Sequence, residues 1–209
     1  MNKLKVGVLI SGRGSNMEAL AEACRSDDHP AEISVVVSNR ADAAGLERAA
    51  SFGIATAVVD HTAFADKAAF EAEVIRVLEG HGVELICLAG FMRVLSEDFV
   101  ARFSHKILNI HPSLLPAFPG LHVQRNAIEY GVRLSGCTVH FVVPEVDAGP
   151  IVLQAAVPIE PDDTEDTLAA RILEQEHRIY PAAVELFAHG RLRIEGRRVL
   201  IAPAADGPE

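Results

Sequence analysis

The sequence predicts an α/β fold: a doubly wound, mostly parallel (mixed) sheet of about seven strands flanked by helices. Three observations predict it. Short runs rich in Val, Ile and Leu alternate with stretches of helical apolar spacing, a glycine turn joins the first such pair, and beyond Gly120 the alternation gives way to two long β-rich runs.

The first expected strand is Val6 to Ile10. It ends in Ser11-Gly12-Arg13-Gly14-Ser15-Asn16, after which Met17, Leu20, Ala21 and Cys24 mark one face of a helix. Ile33 to Val37 reads as a second strand before an Ala-rich helix from about Asp42 to Phe52, Thr56 to Val59 as a short third, and Lys67 to Glu79 as a third helix. Glu84 to Ala89 and Lys106 to Ile110 are further strands, separated by a helix near Ser96 to Arg102 that Ser96 can cap. Three prolines and a glycine make Pro112 to Gly120 a stiff loop past a strand end, suited to wall a cleft. Leu134 to Val143 and Pro150 to Val157, joined by a short loop, are expected to extend the sheet as an antiparallel hairpin. A long helix from Thr164 to about His189 contains Pro181 as a kink or break, and residues 202–209 are expected to be a disordered tail to one domain over 1–201.

With 209 residues and 49% apolar content, the chain can bury one sizeable core. Its 19 Lys and Arg against 29 Asp and Glu leave a formal charge of -10, a field that repels nucleic acid and anionic membrane surfaces, so an anionic ligand must be caught by local groups. Cys24, Cys87 and Cys137 are far apart and form no CxxC pair, and the first apolar run is too short for a membrane span; a cytoplasmic protein is expected. The nine histidines include no HExxH and no close Cys/His cluster, so no metal is expected.

Gly12 and Gly14 let the backbone turn tightly off the first strand, and Ser15 and Asn16 then present N–H groups at a helix N-terminus, where the dipole favours an anion such as phosphate. Met17 stands where the dinucleotide fingerprint needs a third glycine, and no Walker lysine follows, which argues against NAD and nucleoside triphosphates. The plain alternative is an ordinary turn capped by Ser15.

In Lys106 to His111 the apolar residues alternate with Asn109 and His111, so on a strand these two share one face. Asn can donate to a developing oxyanion, His can exchange a proton near neutrality, and Asp147, beside the next β-run, can hold an imidazole protonated. Together they suggest an acyl-transfer site. Singly, His111 before Pro112 reads as a satisfied strand-end histidine and Asp147 as a turn residue; their shared position at strand ends, where open α/β sheets bind ligands, favours catalysis. Ser113 and Cys137 lie in no nucleophile-elbow pattern.

These segments, with Ser38 to Ala43, Ala89 to Leu95, Asn109 to Pro116, Phe118 to Gly120, Gly136 to Phe141 and Val146 to Pro150, resemble the glycinamide ribonucleotide formyltransferase family over nearly the whole chain. The resemblance implies a formyltransferase-type Rossmann-like fold and transfer of a formyl group from 10-formyltetrahydrofolate, as cosubstrate, to the glycine amine of phosphoribosylglycinamide in purine synthesis, without a metal. It implies a catalytic trio of Asn109, His111 and Asp147, a phosphate cradle of Gly14, Ser15 and Asn16, and Glu176 near the ribose and amine. It also implies a folate pocket lined by Lys67, Met92, Arg93, Val94, Leu95 and Asn109. Lys67 stands where the family often carries Arg, and an ammonium cannot make the bidentate contact of a guanidinium. Without the resemblance, residues 92–95 read as core and helix-entry packing, Lys67 as a solvated helix start and Glu176 as an exposed helix carboxylate.

Asn109 and a protonated His111 are then expected to donate to the oxyanion of a tetrahedral intermediate, with Asp147 supporting His111 and helping a water relay the proton to N10 of the folate. Methionyl-tRNA formyltransferase and 10-formyltetrahydrofolate hydrolase share the trio, but usually carry an extra domain for which this length leaves no room, and the acidic charge argues against tRNA. Transfer to another acceptor and a non-catalytic folate- or phosphate-binding module stand as alternatives. The chain is expected as a monomer or homodimer, and His122 and His140 have no assigned role.

Overall fold

A computed structural model describes residues 2–203. The strands and helices follow in the order β1 (Leu4–Ile10), α1 (Ser15–Cys24), β2 (Ala31–Ser38), α2 (Ala44–Ser51), β3 (Thr56–Val58), α3 (Lys67–Gly80), β4 (Leu85–Leu88), α4 (Glu97–Arg102) and β5 (Ile107–His111). Then come α5 (Val123–Tyr130), β6 (Leu134–Phe141), β7 (Ile151–Pro158), α6 (Glu165–Ala188), β8 (Leu192–Glu195) and β9 (Arg198–Ile201). They form one sheet in the order β3-β2-β1-β4-β5-β6-β7-β9-β8. β3 through β5 pair in parallel, and β6 and β7 continue the sheet antiparallel, as the hairpin reading expects.

β1 lies between β2 and β4, and its Val6-to-Ile10 stretch is buried on both faces, which is why it reads as an unbroken apolar run. Val6, Val8 and Ile10 pack with Met17 and Leu20 of α1 and with Leu168, Ile172 and Tyr180 of α6. Leu9 faces the other layer, with Phe70, Val74 and Leu78 of α3 and Phe99 of α4. Truncating such a side chain to Ala costs about 2–5 kcal/mol, the transfer term plus the cavity left behind. The parallel order reverses direction between β1 and β4, the position where open α/β sheets leave a ligand crevice at the strand C-termini.

The sheet has nine strands rather than about seven. The additional pair is the β8–β9 hairpin, turned by Gly196-Arg197 and joined to β7 through Ile151 and Arg198. Its strands are four residues each: β8, Leu192-Arg193-Ile194-Glu195, alternates cleanly but over too few residues to stand out, and β9, Arg198-Val199-Leu200-Ile201, does not alternate. α5 escaped the sequence pattern because it starts after His122, a left-handed residue at φ 57 that makes no side-chain cap. α6 runs through Pro181 without a break. The proline removes one helical N–H, but Ile179, Tyr180, Ala183 and Val184 on both sides of it are buried, and packing holds the turn. The Tyr180 hydroxyl lies 3.0 Å from the carbonyls of both Leu88 and Leu108 and shares its proton between them, tying α6 to the ends of β4 and β5. Ala202, expected to begin a disordered tail, donates its N–H to the Arg191 carbonyl (2.8 Å); residues 204–209 of that tail lie outside the described residues.

Candidate active site

The glycine loop leaves β1 and turns at Gly14, whose φ is +77; a Cβ there would sit 2.7 Å from the Gly45 Cα, so only glycine fits. Gly14 is also the N-cap of α1 and no side chain caps the helix, which removes the reading of Ser15 as a cap. The first helical bond runs from Glu18 N–H to the Gly14 carbonyl (2.9 Å), leaving the N–H groups of Ser15, Asn16 and Met17 outside the ladder and available to an anion. The loop forms one wall of a cavity of ≈ 270 Å³ whose other wall is Ala89, Gly90 and Met92.

Glu176 reaches this loop from α6. Its Oε2 accepts a hydrogen bond from Asn16 Nδ2 at 2.7 Å, and it is 6% exposed, so it is not the exposed helix carboxylate of the plain reading. Burial raises its pKa above the ordinary value, and the Asn16 hydrogen bond offsets only part of that. Asn16 Oδ1 is itself buried without a partner.

β5 delivers Asn109 and His111 to one face, and the antiparallel register sets His140 opposite Asn109 and Thr138 opposite His111. Asn109 Nδ2 lies 3.1 Å from His140 Nε2, and Asp147 Oδ1 lies 3.7 Å from the same nitrogen. His140 Nδ1, 3.0 Å from the Phe141 carbonyl, carries a proton. Nε2 then accepts from Asn109 when the ring is neutral, or faces Asp147 at ion-pair distance when it is charged. His111 faces oxygen on both sides: Nε2 hydrogen-bonds the Phe118 carbonyl at 3.0 Å, and Nδ1 lies 3.4 Å from Asp147 Oδ2 at ion-pair distance, so the carboxylate attracts an imidazolium by its charge rather than by a hydrogen bond.

Asp147 sits at φ +53 and accepts the Gly120 N–H at 2.8 Å. Its loop is pressed onto β6 at Gly149, where a Cβ would stand 1.7 Å from the Phe141 carbonyl oxygen. Burial raises the Asp147 carboxyl, but the contacts with His140, the Gly120 N–H and His111 outweigh it and hold the pKa below the usual value.

The loop from Pro112 to Gly120, expected to wall a cleft, lies against His111 and Asp147 through the Phe118 carbonyl and the Gly120 N–H and is itself tied to the sheet. Thr138 Oγ1 donates to the Ser113 carbonyl (2.7 Å) and accepts the Leu115 N–H (3.1 Å), while Gln154 Nε2 donates to the Leu115 carbonyl (2.9 Å). The Ser113 hydroxyl is spent on the Ala117 carbonyl at 2.7 Å, which leaves it no nucleophile's role. His122 is exposed at the start of α5.

The segment from Met92 to Leu95 follows β4 beside β5, since Leu88 pairs with Asn109. Met92 and Val94 are exposed and Leu95 is buried, so the packing reading holds for Leu95 alone. Arg93 is exposed. The segment is strung between two anchors. Met92 N–H donates to Ser11 Oγ (2.8 Å); at the far end Ser96 donates its N–H to Glu71 Oε1 (2.8 Å) and its hydroxyl to Oε2, and accepts the Phe99 N–H as the cap of α4. Lys67, half-exposed at the start of α3, places Nζ 3.9 Å from the same Glu71 carboxylate.

Sequence reasoning left His140 unassigned and missed Ser11 and Glu71. The available signal was Thr138 and His140 alternating with apolar residues on a strand next to Asn109 and His111. A larger cavity, ≈ 410 Å³, opens beside Cys24, Phe52 and Ile54 and contains none of the candidate side chains. Among the described residues, no group of three or more His, Cys, Asp or Glu is placed to hold a metal ion, and no helix is long and apolar enough to cross a membrane.

An open α/β sheet with an uncapped helix N-terminus at its switch point, and an amide, an imidazole and a carboxylate gathered at a neighbouring strand end, has the layout of a small-molecule group-transfer enzyme. The chain belongs to the formyl transferase family, whose model matches residues 4–184. It is 46% identical to the phosphoribosylglycinamide formyltransferase of Escherichia coli over 191 residues, covering 91% of this chain and 90% of that protein. It is 53% identical to the crystal structure of glycinamide ribonucleotide transformylase 1 from Symbiobacterium toebii, with a TM-score of 0.94 over 96% of this chain and 95% of that one. It is 52% identical over 193 residues to the trifunctional purine biosynthetic protein adenosine-3 of Gallus gallus; 92% of this chain is covered, and the chain spans 19% of that protein's length.

Proposed function

We propose that this protein transfers the formyl group of 10-formyltetrahydrofolate to the glycine amine of N1-(5-phosphoribosyl)glycinamide, giving the N2-formyl product in de novo purine synthesis, with residues 1–201 as one catalytic domain in the cytoplasm. The observation that carries this reading is the convergence of Asn109, His111 and Asp147 at the end of β5, beside a loop segment pinned at Met92 and Ser96. Similarity to proteins named for this reaction supports the choice of acceptor.

The free amine attacks the formyl carbon, and the carbonyl oxygen takes on negative charge. Asn109 keeps one amide N–H on His140 and offers the other to that oxygen. His111 exchanges the Phe118 carbonyl for the oxyanion as its Nε2–H acceptor, while Asp147 stays opposite Nδ1. Removing one such donor typically costs about 10²- to 10³-fold in kcat. The proton released by the attacking nitrogen passes through a water held by Asp147 to N10 of the folate, where the C–N bond breaks. Gly14, Ser15 and Asn16 hold the phosphate and Glu176 the ribose and amine. The backbone from Met92 to Leu95 receives the folate ring system, with Lys67 at its margin.

The test is a spectrophotometric assay of 10-formyl-5,8-dideazafolate consumption with and without phosphoribosylglycinamide, run in parallel on His111→Ala. Turnover that needs both the acceptor and His111 is expected. Folate consumption without acceptor identifies a hydrolase instead, and saturable binding of both ligands without turnover a non-catalytic module.

A further inference from the structure

The two loops that the proposed reaction gives to different substrates meet at one buried hydroxyl. Ser11 follows β1, and its side chain opens the turn that leads through Gly12 to Asn16. Its Oγ donates to Asn39 Oδ1 at 2.5 Å and accepts the Met92 N–H at 2.8 Å. The polarity is fixed: the Asn39 carbonyl oxygen can only accept, so the single hydroxyl proton is committed there, and the Ser11 oxygen remains an acceptor for Met92. Ser11 and Asn39 are buried, whereas the Met92 side chain is 67% exposed, so the bond runs from the core to a surface segment 81 residues away in the chain. Ser11 and Met92 both line the ≈ 270 Å³ cavity, and their bond joins the connection after β1 to the connection after its neighbour β4.

We propose that Ser11 is a positioning residue that couples the phosphate-side and folate-side loops, so that the substrate filling one loop orders the other. The inference rests on the assignment of the two loops given above. An anion held by the N–H groups of residues 14–16 fixes the turn that begins at Ser11. The Ser11–Met92 bond then fixes the first backbone unit of the folate segment, whose other end is already held by Glu71. Ordering paid for by the first ligand is not charged again to the second, which makes binding cooperative and, by linkage, reciprocal. One hydrogen bond of ordinary strength carries about a fivefold coupling.

The test is isothermal titration calorimetry on the intact protein with phosphoribosylglycinamide and the non-transferring 5,8-dideazafolate, each titrated alone and with the other saturating. In the wild type each ligand should tighten the other by the same factor, about fivefold. Ser11→Ala should bring that factor close to one while changing each separate affinity less, and Ser11→Thr, which restores the hydroxyl, should recover it. Should Ser11→Ala fail to fold, Asn39→Ala, which frees the hydroxyl proton, should show a partial loss of the same factor. Absence of coupling in the wild type, or full coupling in Ser11→Ala or Asn39→Ala, overturns the tether and leaves the proposed reaction standing. Wild-type protein that binds neither ligand overturns the proposed reaction and the tether with it.

Discussion

Replacing Glu176 with Gln is expected to make the protein more stable at neutral pH and poorer at holding the phosphoribosyl substrate. The carboxyl is 6% exposed, and its hydrogen bond comes from a neutral amide, Asn16 Nδ2, at 2.7 Å. Burial therefore raises its pKa, and Asn16 offsets only part. An acid whose pKa is raised by folding favours the fold when protonated. Its ionisation costs stability as pH climbs from the unfolded carboxylate range through the folded value, and costs nothing below that range. Gln keeps the shape and the acceptor for Asn16 without the charge. An incompletely paired buried group costs about 1–3 kcal/mol, and each kcal/mol moves Tm by roughly 2–4 °C in a chain of this size, so the variant should melt roughly 2–12 °C higher near pH 7. The gain should vanish near pH 4. Calorimetric melts at four pH values between these limits and pH 8 check the stability, and initial rates check the substrate, for which KM should rise about tenfold. A Tm gain of equal size at pH 4 and pH 7, or a loss at pH 7, refutes the burial argument, and an unchanged KM removes Glu176 from the substrate site.

Asp147→Asn removes the charge opposite His111 Nδ1 at 3.4 Å, and the net attraction of such a partly buried charge for an imidazolium, about 1.5–3 kcal/mol after desolvation, is lost, so kcat should fall about 10- to 100-fold. Despite burial, the Asp147 carboxyl titrates below the ordinary range because of His140, the Gly120 N–H and His111. The stability tied to its charge is thus complete above that range and is lost as pH falls through the folded value. The variant should lose that acid-side fall in Tm, and an unchanged pH–rate profile would take Asp147 out of the reaction. Gly14→Ala puts a Cβ 2.7 Å from the Gly45 Cα at φ +77 and should cost about 2–5 kcal/mol in urea unfolding, together with phosphate affinity; a cost near zero contradicts the described turn. Glu71→Gln exchanges one of the two carboxylate acceptors that hold Ser96, and should raise KM for the folate about five- to tenfold with a smaller effect on kcat. Equal KM values in the two proteins would show that the 92–95 segment needs no such anchor.

The parallel half of the sheet was legible because its strands are buried on both faces and its helices carry one apolar stripe, so local pattern and final packing agree. Ser96 illustrates the local limit: it caps α4 as its sequence predicts, but its second partner, Glu71, lies 25 residues earlier and depends on how α3 packs. Asn109 and His111 were legible from strand alternation alone. His140 was not, because its meaning comes from the register of β6 against β5, and register is set by long-range pairing rather than by nearby residues. The same reason hid Ser11, whose partners Asn39 and Met92 belong to the connections after β2 and β4. β8 and β9 were lost for a different cause: strands of four residues hold too little apolar pattern to register.

Tyr180 lies one helical turn beyond Glu176, and its hydroxyl is seated on the carbonyl that immediately precedes Asn109 in the chain. The group proposed to grip the sugar and the group proposed to meet the oxyanion are therefore gauged from a common point in the protein, with no loop in between. A substrate seated at one end is already indexed at the other. Misalignment would require α6 to slide across the sheet, and the shared Tyr180 proton is the latch that such a slide has to open.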